Sequence, residues 1–268
     1  NLTAWHQWSW QDGFNLHGED SIAVWNVYDT LTNHTLPAIV NQYGNGIYWG
    51  SSPQAGVNVV ANNTAGDQHE WMVWFGQQPF DYFKENAGRY ISEYGLQAFP
   101  DMSSIRKFDP SVDKWELETI PLNFRQRSNM AWIEPGYDGY DMMLYYLDLY
   151  YAKPDNLEEF VYLSQLSQAM SLQVATETHR RNKPYTMGTL YWQIDDVWPT
   201  CSWATVDYFG KWKAGHYAVR EANKPIIVSA DLEESVLNIH VITDKIEAFD
   251  GQVQLVLKNF AGDIIKDT

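Results

Sequence analysis

The sequence predicts an α/β chain in which strand-like runs alternate with helices over most of its length and give way to antiparallel strands near the end. Strand signals at Ile47–Trp49, Glu70–Phe75, Arg89–Glu93 and Thr189–Ile194 are separated by helical stretches, the pattern of parallel βα units. The stretch from Asn156 to Arg181 is long and carries both start and stop signals of a helix. Beyond Lys224-Pro225 the apolar residues alternate with polar ones, as in half-buried strands.

Between Asp20 and Asn33, Ile22, Val24, Trp25, Val27 and Tyr28 cluster at helical spacing, and Leu36 to Val40 continues the pattern toward Gly44 and Gly46. Ile47-Tyr48-Trp49 then reads as a short buried strand that ends in a turn at Pro53. Asp67-Gln68-His69 leads into the second strand, and Arg89 to Glu93 forms the third. An aromatic helix spans Asp138 to Tyr151. For the long helix, Asn156 is the expected N-cap, with Glu159 three residues on. Phe160, Leu163, Met170 and Val174 mark its apolar face, and His179, Arg180 and Arg181 stand where cations complement the helix dipole, before Pro184. After the fourth strand, Gly210 to Ala222 returns to helix. Leu237, Ile239 and Val241, then Val253, Leu255 and Leu257, alternate in the antiparallel region, with turns at Asp250-Gly251 and Ala261-Gly262. Three or four such strands do not close a sandwich, so the module at 224–268 is expected to be incomplete.

With 268 residues the chain can bury a large core and hold one barrel-sized domain or two smaller ones. A net charge of −16 argues against a nucleic-acid partner, which would require a basic stripe. Apolar runs fall short of the roughly 20 residues that span a bilayer, so no membrane partner is expected. The single cysteine, Cys201, reads as a buried structural thiol, since no His-plus-carboxamide arrangement surrounds it. Asn1-Leu2-Thr3, Asn33-His34-Thr35 and Asn62-Asn63-Thr64 match the N-glycosylation pattern. A secreted, periplasmic or lysosomal location is favoured over a cytoplasmic one, although cysteine usage leaves the compartment open. The first residue is not Met, and an aromatic amphipathic stretch begins at once, which suggests a chain cut from something longer.

Aromatic residues make up 15% of the chain, with 13 Trp, more than packing alone usually recruits. Sugars expose apolar C–H faces that stack on such rings. Two segments sharpen that reading. Gly88 to Gln97 brings Glu93 to a strand end, where a carboxylate can attack an anomeric carbon. Gly188 to Pro199 brings Trp192, Gln193, Asp195 and Asp196 to another, where an indole can stack on the ring and polar groups can hold its hydroxyls. The pairing points to a carbohydrate hydrolase. No His-x-x-x-His spacing, G-x-S-x-G or phosphate-loop motif occurs, so neither a metal nor an organic cofactor is expected.

Trp49-Gly50-Ser51-Ser52-Pro53, Gly66-Asp67-Gln68-His69-Glu70-Trp71, Ser92-Glu93-Tyr94-Gly95, Glu177-x-x-Arg180-Arg181, Gly188 to Pro199, and Ser202-Trp203 with Asp207-Tyr208 resemble the β-mannosidases of glycoside hydrolase family 2, from the first residues to about Ala222. The resemblance implies the second half of a TIM (β/α)8 barrel over 1–223, followed over 224–268 by the start of an antiparallel, Ig-like β-sandwich. It implies that Glu93 is the catalytic nucleophile of a retaining exo-β-mannosidase acting on a β-mannoside or oligosaccharide. It further implies that Trp192 floors the sugar subsite, that Trp8 lines the barrel mouth, and that His69, Trp71, Gln193 and Asp195 contribute to substrate binding. Asp195 stands where the family more usually has Asn, and closeness to Glu93 would raise a carboxyl pKa. The family's acid/base Glu aligns at or next to the position before Asn1, so the partner needed is the N-terminal half of the same protein, and the isolated chain is expected to be inactive. Other family 2 activities (β-galactosidase or exo-glucosaminidase) and a non-catalytic glycan-binding fragment are the alternative readings.

Overall fold

The computed structural model describes residues 16–56, 59–112 and 119–268, which fall into two compact units, 1–220 and 221–268. The first unit is a mixed α/β body. It opens with helix α1 (Gly18–Asp29), a π turn (Thr30–Thr35) and α2 (Leu36–Tyr43). The sequence pattern gives a simple helical continuation here. The wide turn forms because Pro37 has no N–H for the i−4 bond, and the Leu36 N–H reaches Leu31 O instead.

The strand expected at 47–49 does not form. Ile47 is 99% exposed, and the segment is held by side chains: Trp49 Nε1 and Ser52 Oγ donate to the two oxygens of Asp67 at 3.0 and 2.5 Å. An extended run becomes a strand only when a neighbour answers its backbone groups, and none does so among the described residues.

A parallel three-stranded sheet comes next, in the order β1 (Gln68–His69), β2 (Tyr90–Glu93), β3 (Gly188–Thr189). The strand expected at Glu70–Phe75 is displaced toward the N-terminus. Glu70 Oε1 accepts the Met72 N–H at 2.9 Å, and Trp71 starts a turn in which Phe75 N bonds Trp71 O at 2.7 Å. Helix α3 (Tyr82–Glu85) connects β1 to β2, and α4 (Met102–Phe108), α5 (Ile120–Arg125), α6 (Gly139–Tyr150) and α7 (Leu157–Arg181) lie between β2 and β3. The fourth expected strand shortens to Gly188–Thr189, while its ladder continues through Leu190 N to Ile91 O and Trp192 N to Tyr94 O, both 2.8 Å.

Helix α6 starts on a capping box between Asp138 and Asp141. In α7, Asn156 Oδ1 caps the Glu159 N–H at 2.9 Å, but Glu159 reaches back to the Asp155 N–H rather than to that of Asn156. The buried face of α7 matches expectation at Phe160, with Leu163 and Val174 packed against the core, and departs from it at Met170. Leu157, Phe160, Val161, Ser164, Gln168, Ser171, Leu172 and Ala175 point inward, and Met170 is exposed. Small serines let the helix approach the 96–99 segment closely, where Ser164 Oγ takes the Phe99 N–H and Gln168 Nε2 donates to Leu96 O. His179 is buried and hydrogen-bonded to Thr189 at 2.8 Å; burial holds it down at about 3, so it is not one of the dipole-complementing cations.

Part of the aromatic excess fills this core, while Trp49, Trp132, Trp192 and Trp212 are exposed. Trp74, Phe80, Phe83, Tyr94, Phe99, Tyr140, Tyr146 and Phe160 are buried, with parallel stacks such as Phe80 on Tyr150 at 4.2 Å and Phe99 on Tyr140 at 5.2 Å. Cys201 is buried as expected, and burial pushes its thiol far up. Helix α8 (Ala214–Ala222) begins four residues later than its sequence signal. Among the described residues no helix is long and apolar enough to cross a membrane.

The second unit holds two antiparallel pairs. β4 (Ile226–Glu233) and β5 (Val236–Thr243) pair through all eight residues around a tight turn with Glu234 at φ 51°. β6 (Val256–Lys258) and β7 (Ile264–Asp267) turn at Gly262, φ 95°. Asp250-Gly251 makes no hairpin, because β5 and β6 belong to separate sheets.

Candidate active site

Parallel strands all end on the same edge of a sheet, so the residues just beyond β1, β2 and β3 converge on one place. β1 delivers His69 and Trp71, β2 delivers Glu93, and the continuation of β3 delivers Trp192 and Gln193. In register, His69 lies opposite Glu93, and the Glu70 N–H bonds Glu93 O at 2.8 Å. Gly95 permits the close approach of the third segment. A Cβ on it would lie 2.2 Å from Trp192 O.

Glu93 is half-buried, and its Oε2 is the focus of the site. Trp71 Nε1 donates to it at 3.1 Å, and His69 Nδ1 lies 3.2 Å away. Burial lifts the Glu93 carboxyl above its ordinary range; the Trp71 N–H pulls it back, and the charge of Asp67 adds to the lift. Burial also takes His69 down to about 4, against the opposite pull of Asp67. Behind Glu93, the buried Tyr94 hydroxyl binds Thr176 at 3.0 Å and Thr189 at 2.9 Å, tying the end of β2 to α7 and β3. Trp71 packs edge-on against Trp203, and Trp203 packs on Trp74 in the same way.

Trp192 is 42% exposed beside the strand ends, and its peptide bond to Gln193 is cis. Gln193 is pinned by its backbone, N to Trp203 O at 3.3 Å and O from Thr205 N at 3.0 Å. Asp195 is exposed and bridges Val206. The negative charge that acts on Glu93 belongs to Asp67 and not to Asp195, so the rise that closeness of Asp195 would have produced has another source. Asp196 is buried and braces its loop through Ser202 Oγ at 2.7 Å. Trp8 lies outside the described residues.

Sequence reasoning assigns no role to Asp67, Ser52 and Ser92, although all three sit in the motifs that carry the family resemblance. Asp67 accepts four hydrogen bonds: Trp49 Nε1 and Gln54 N on Oδ1, both at 3.0 Å, and Ser52 Oγ and Ser92 Oγ on Oδ2 at 2.5 and 2.6 Å. Ser52 Oγ in turn lies 3.2 Å from His69 Nε2. The only signal for this cluster in the sequence is the density of hydroxyl and carboxylate side chains around His69. No group of three or more His, Cys, Asp or Glu side chains suited to a metal ion occurs among the described residues. A surface concavity of about 540 Å³ lined by Asp101, Asn156, Glu158 and Gln165 lies apart from the strand ends.

No protein-family model matches the chain. Over 214 residues, 77% of the chain, it is 34% identical to a protein of Aspergillus flavus named β-mannosidase B and 32% identical to one of the same name from Aspergillus niger, covering 24% of each. The solved structure of a β-D-mannosidase from Dictyoglomus thermophilum superposes with a TM-score of 0.76 at 29% identity, over 90% of this chain and 29% of that one. The chain is a β-mannosidase relative. It spans about a quarter of the length of the curated relatives it matches. In this β-mannosidase relative the three strand ends that carry Glu93, the His69–Trp71 pair and Trp192 lie side by side within the matched α/β unit.

Proposed function

We propose that this chain carries the nucleophile side of a retaining exo-β-mannosidase site. Residues 1–223 are read as the second half of a (β/α)8 barrel, and 224–268 as the start of an Ig-like β-sandwich. The observation that carries the reading is Glu93 at the C-terminal end of a parallel strand, hydrogen-bonded by Trp71 and 3.2 Å from His69 Nδ1, with the Trp192 segment on the adjoining strand. In this reading Oε2 is held by Trp71 and His69, and Oε1 attacks. The bond from Oε1 to the anomeric carbon forms as the glycosidic C–O bond breaks, and water later releases the sugar with retention. The proton for the leaving oxygen comes from a second carboxyl about 5 Å away, supplied by the remainder of a longer protein. Trp192 provides the stacking face, while His69, Trp71, Gln193, Asp195 and Trp8 complete the sugar subsite. The substrate is a terminal β-mannoside, free or at the end of an oligosaccharide.

The test is mechanism-based labelling of the complete protein with a 2-deoxy-2-fluoro-β-mannosyl fluoride, with peptide mapping of the product. A mannosyl adduct on Glu93, with turnover of aryl β-mannoside in preference to aryl β-galactoside, is the expected result, and the isolated 268-residue chain turns over neither. An adduct on another carboxylate refutes the assignment. Faster galactoside turnover would move it to a sister activity, and mannose binding without any turnover would favour a glycan-binding role.

A further inference from the structure

The cluster behind Glu93 has fewer protons than hydrogen-bond contacts, and that shortage fixes where each proton lies. Asp67 is buried, yet its four donors hold the carboxyl below the usual carboxylate range despite burial, which acts in the opposite direction. It is therefore an anion with no proton to give. Its Oδ2 nonetheless meets two hydroxyl oxygens at 2.5 and 2.6 Å, the distance of charge-assisted hydroxyl-to-carboxylate bonds, about 2.5–2.7 Å. Each of those contacts requires a proton, and only the serines can supply one. Ser52 has a single hydroxyl proton, so what it turns toward His69 Nε2, 3.2 Å away, is a lone pair. Nε2 must then carry the hydrogen. The ordinary alternative has Ser52 donating to Nε2 and His69 donating from Nδ1 to Glu93. It would leave two unprotonated oxygens 2.5 Å apart in order to make a weaker neutral bond at 3.2 Å.

We propose that Asp67 is a positioning residue that takes the Ser52 and Ser92 hydroxyl protons, fixes His69 with hydrogen on Nε2, and so places a single shared proton between His69 Nδ1 and Glu93 Oε2. With Nε2 already protonated, Nδ1 and Oε2 at 3.2 Å face each other as two lone pairs unless one proton lies between them. Glu93 and His69 thus hold that proton as a unit, either as carboxylic acid and neutral imidazole or as carboxylate and imidazolium. In the second form Glu93 is a nucleophile whose counter-charge is built in, and its carboxylate 3.2 Å from Nδ1 opposes the burial that otherwise takes His69 down to about 4. When Oε1 becomes bonded to the anomeric carbon, the same Nδ1–H faces the ester carbonyl Oε2 and polarises it for release. The catalytic consequence rests on the function proposed for the site; the proton placement does not.

The experiment uses the chain labelled with ¹⁵N-histidine, with long-range ¹H–¹⁵N correlation spectra near neutral pH and His69→Gln to identify the signals. The expected spectrum has a protonated Nε2 and no bare Nε2 resonance for His69. Ser52→Ala frees Nε2 and moves the neutral imidazole to the Nδ1–H form, and Ser52→Thr, which keeps the hydroxyl, restores the original pattern. A wild-type His69 with a bare Nε2 and a protonated Nδ1 overturns the proposal and requires no variant to fold. A mannosyl adduct on a carboxylate other than Glu93, with Nε2 protonated, would remove Glu93 as the nucleophile and leave the proton placement standing.

Discussion

Replacing Gly95 with alanine probes the contact that joins the two site segments. A Cβ at this position lies 2.2 Å from Trp192 O and 3.3 Å from Trp192 C, and ordinary contact begins at 3.4 Å, so the strand ends must open by about 1.2 Å. That neighbour is backbone and cannot rotate away. Opening stretches the Trp192 N to Tyr94 O bond, now 2.8 Å, which contributes about 0.5–1.5 kcal/mol, and overpacking costs about 1–3 kcal/mol more. The expected loss is about 2–4 kcal/mol, or a fall in Tm of about 5–15 °C at this domain size. In the complete protein, misplacing the Trp192 segment by about 1 Å should lower kcat/KM on aryl β-mannoside by about 100-fold. Differential scanning calorimetry and steady-state kinetics measure the two effects. An unchanged Tm together with unchanged kinetics would mean that Glu93 and Trp192 are not held in register by this approach.

Trp71→Phe keeps the ring packing and removes the N–H that stabilises ionised Glu93, so the Glu93 pKa rises further; the acid limb of the kcat/KM profile of the complete protein should move to higher pH, with about a tenfold loss at its maximum. His179 is held neutral with a folded pKa of about 3 against 6.5 unfolded, so the unfolded chain binds the extra proton between those values and stability falls as pH drops from about 6.5 toward 3. Denaturant titrations near pH 7.5 and 4.5 should show a smaller acid loss in His179→Asn than in the wild type, and equal losses would contradict the buried neutral state. Cys201 should resist iodoacetamide in the native protein and react fully in denaturant, as read by mass spectrometry; rapid native alkylation would show that the thiol is accessible.

Sequence patterns predict the structure well where a signal is local. Asn156 caps α7 because its own side chain reaches three residues on, and the hairpin turn at Gly262 needs only a residue that accepts positive φ. They fail where the outcome depends on a distant partner. Ile47 to Trp49 has strand composition, but the Trp49 indole and the Ser52 hydroxyl are drawn to Asp67, and the run stays irregular. Met170 has helical spacing with Phe160 and Leu163, yet the face that α7 buries is set by which side of the helix can approach Leu96 and Phe99, and serines fit there better than methionine.

The sequence by itself determined the kind of chain this is: an acidic, aromatic-rich α/β protein with a single cysteine, a carboxylate in a Ser-Glu-Tyr-Gly turn and an indole in a Tyr-Trp-Gln run. Those features are written in neighbouring residues and need no third dimension. Only the tertiary structure decided that residues about a hundred positions apart share one sheet edge, that Asp67 and not Asp195 exerts its charge on Glu93, and that two serine protons are committed to a buried carboxylate. Hydrogen bonds and burial are set by distances between side chains from separate strands, and those distances exist only once the strands have paired.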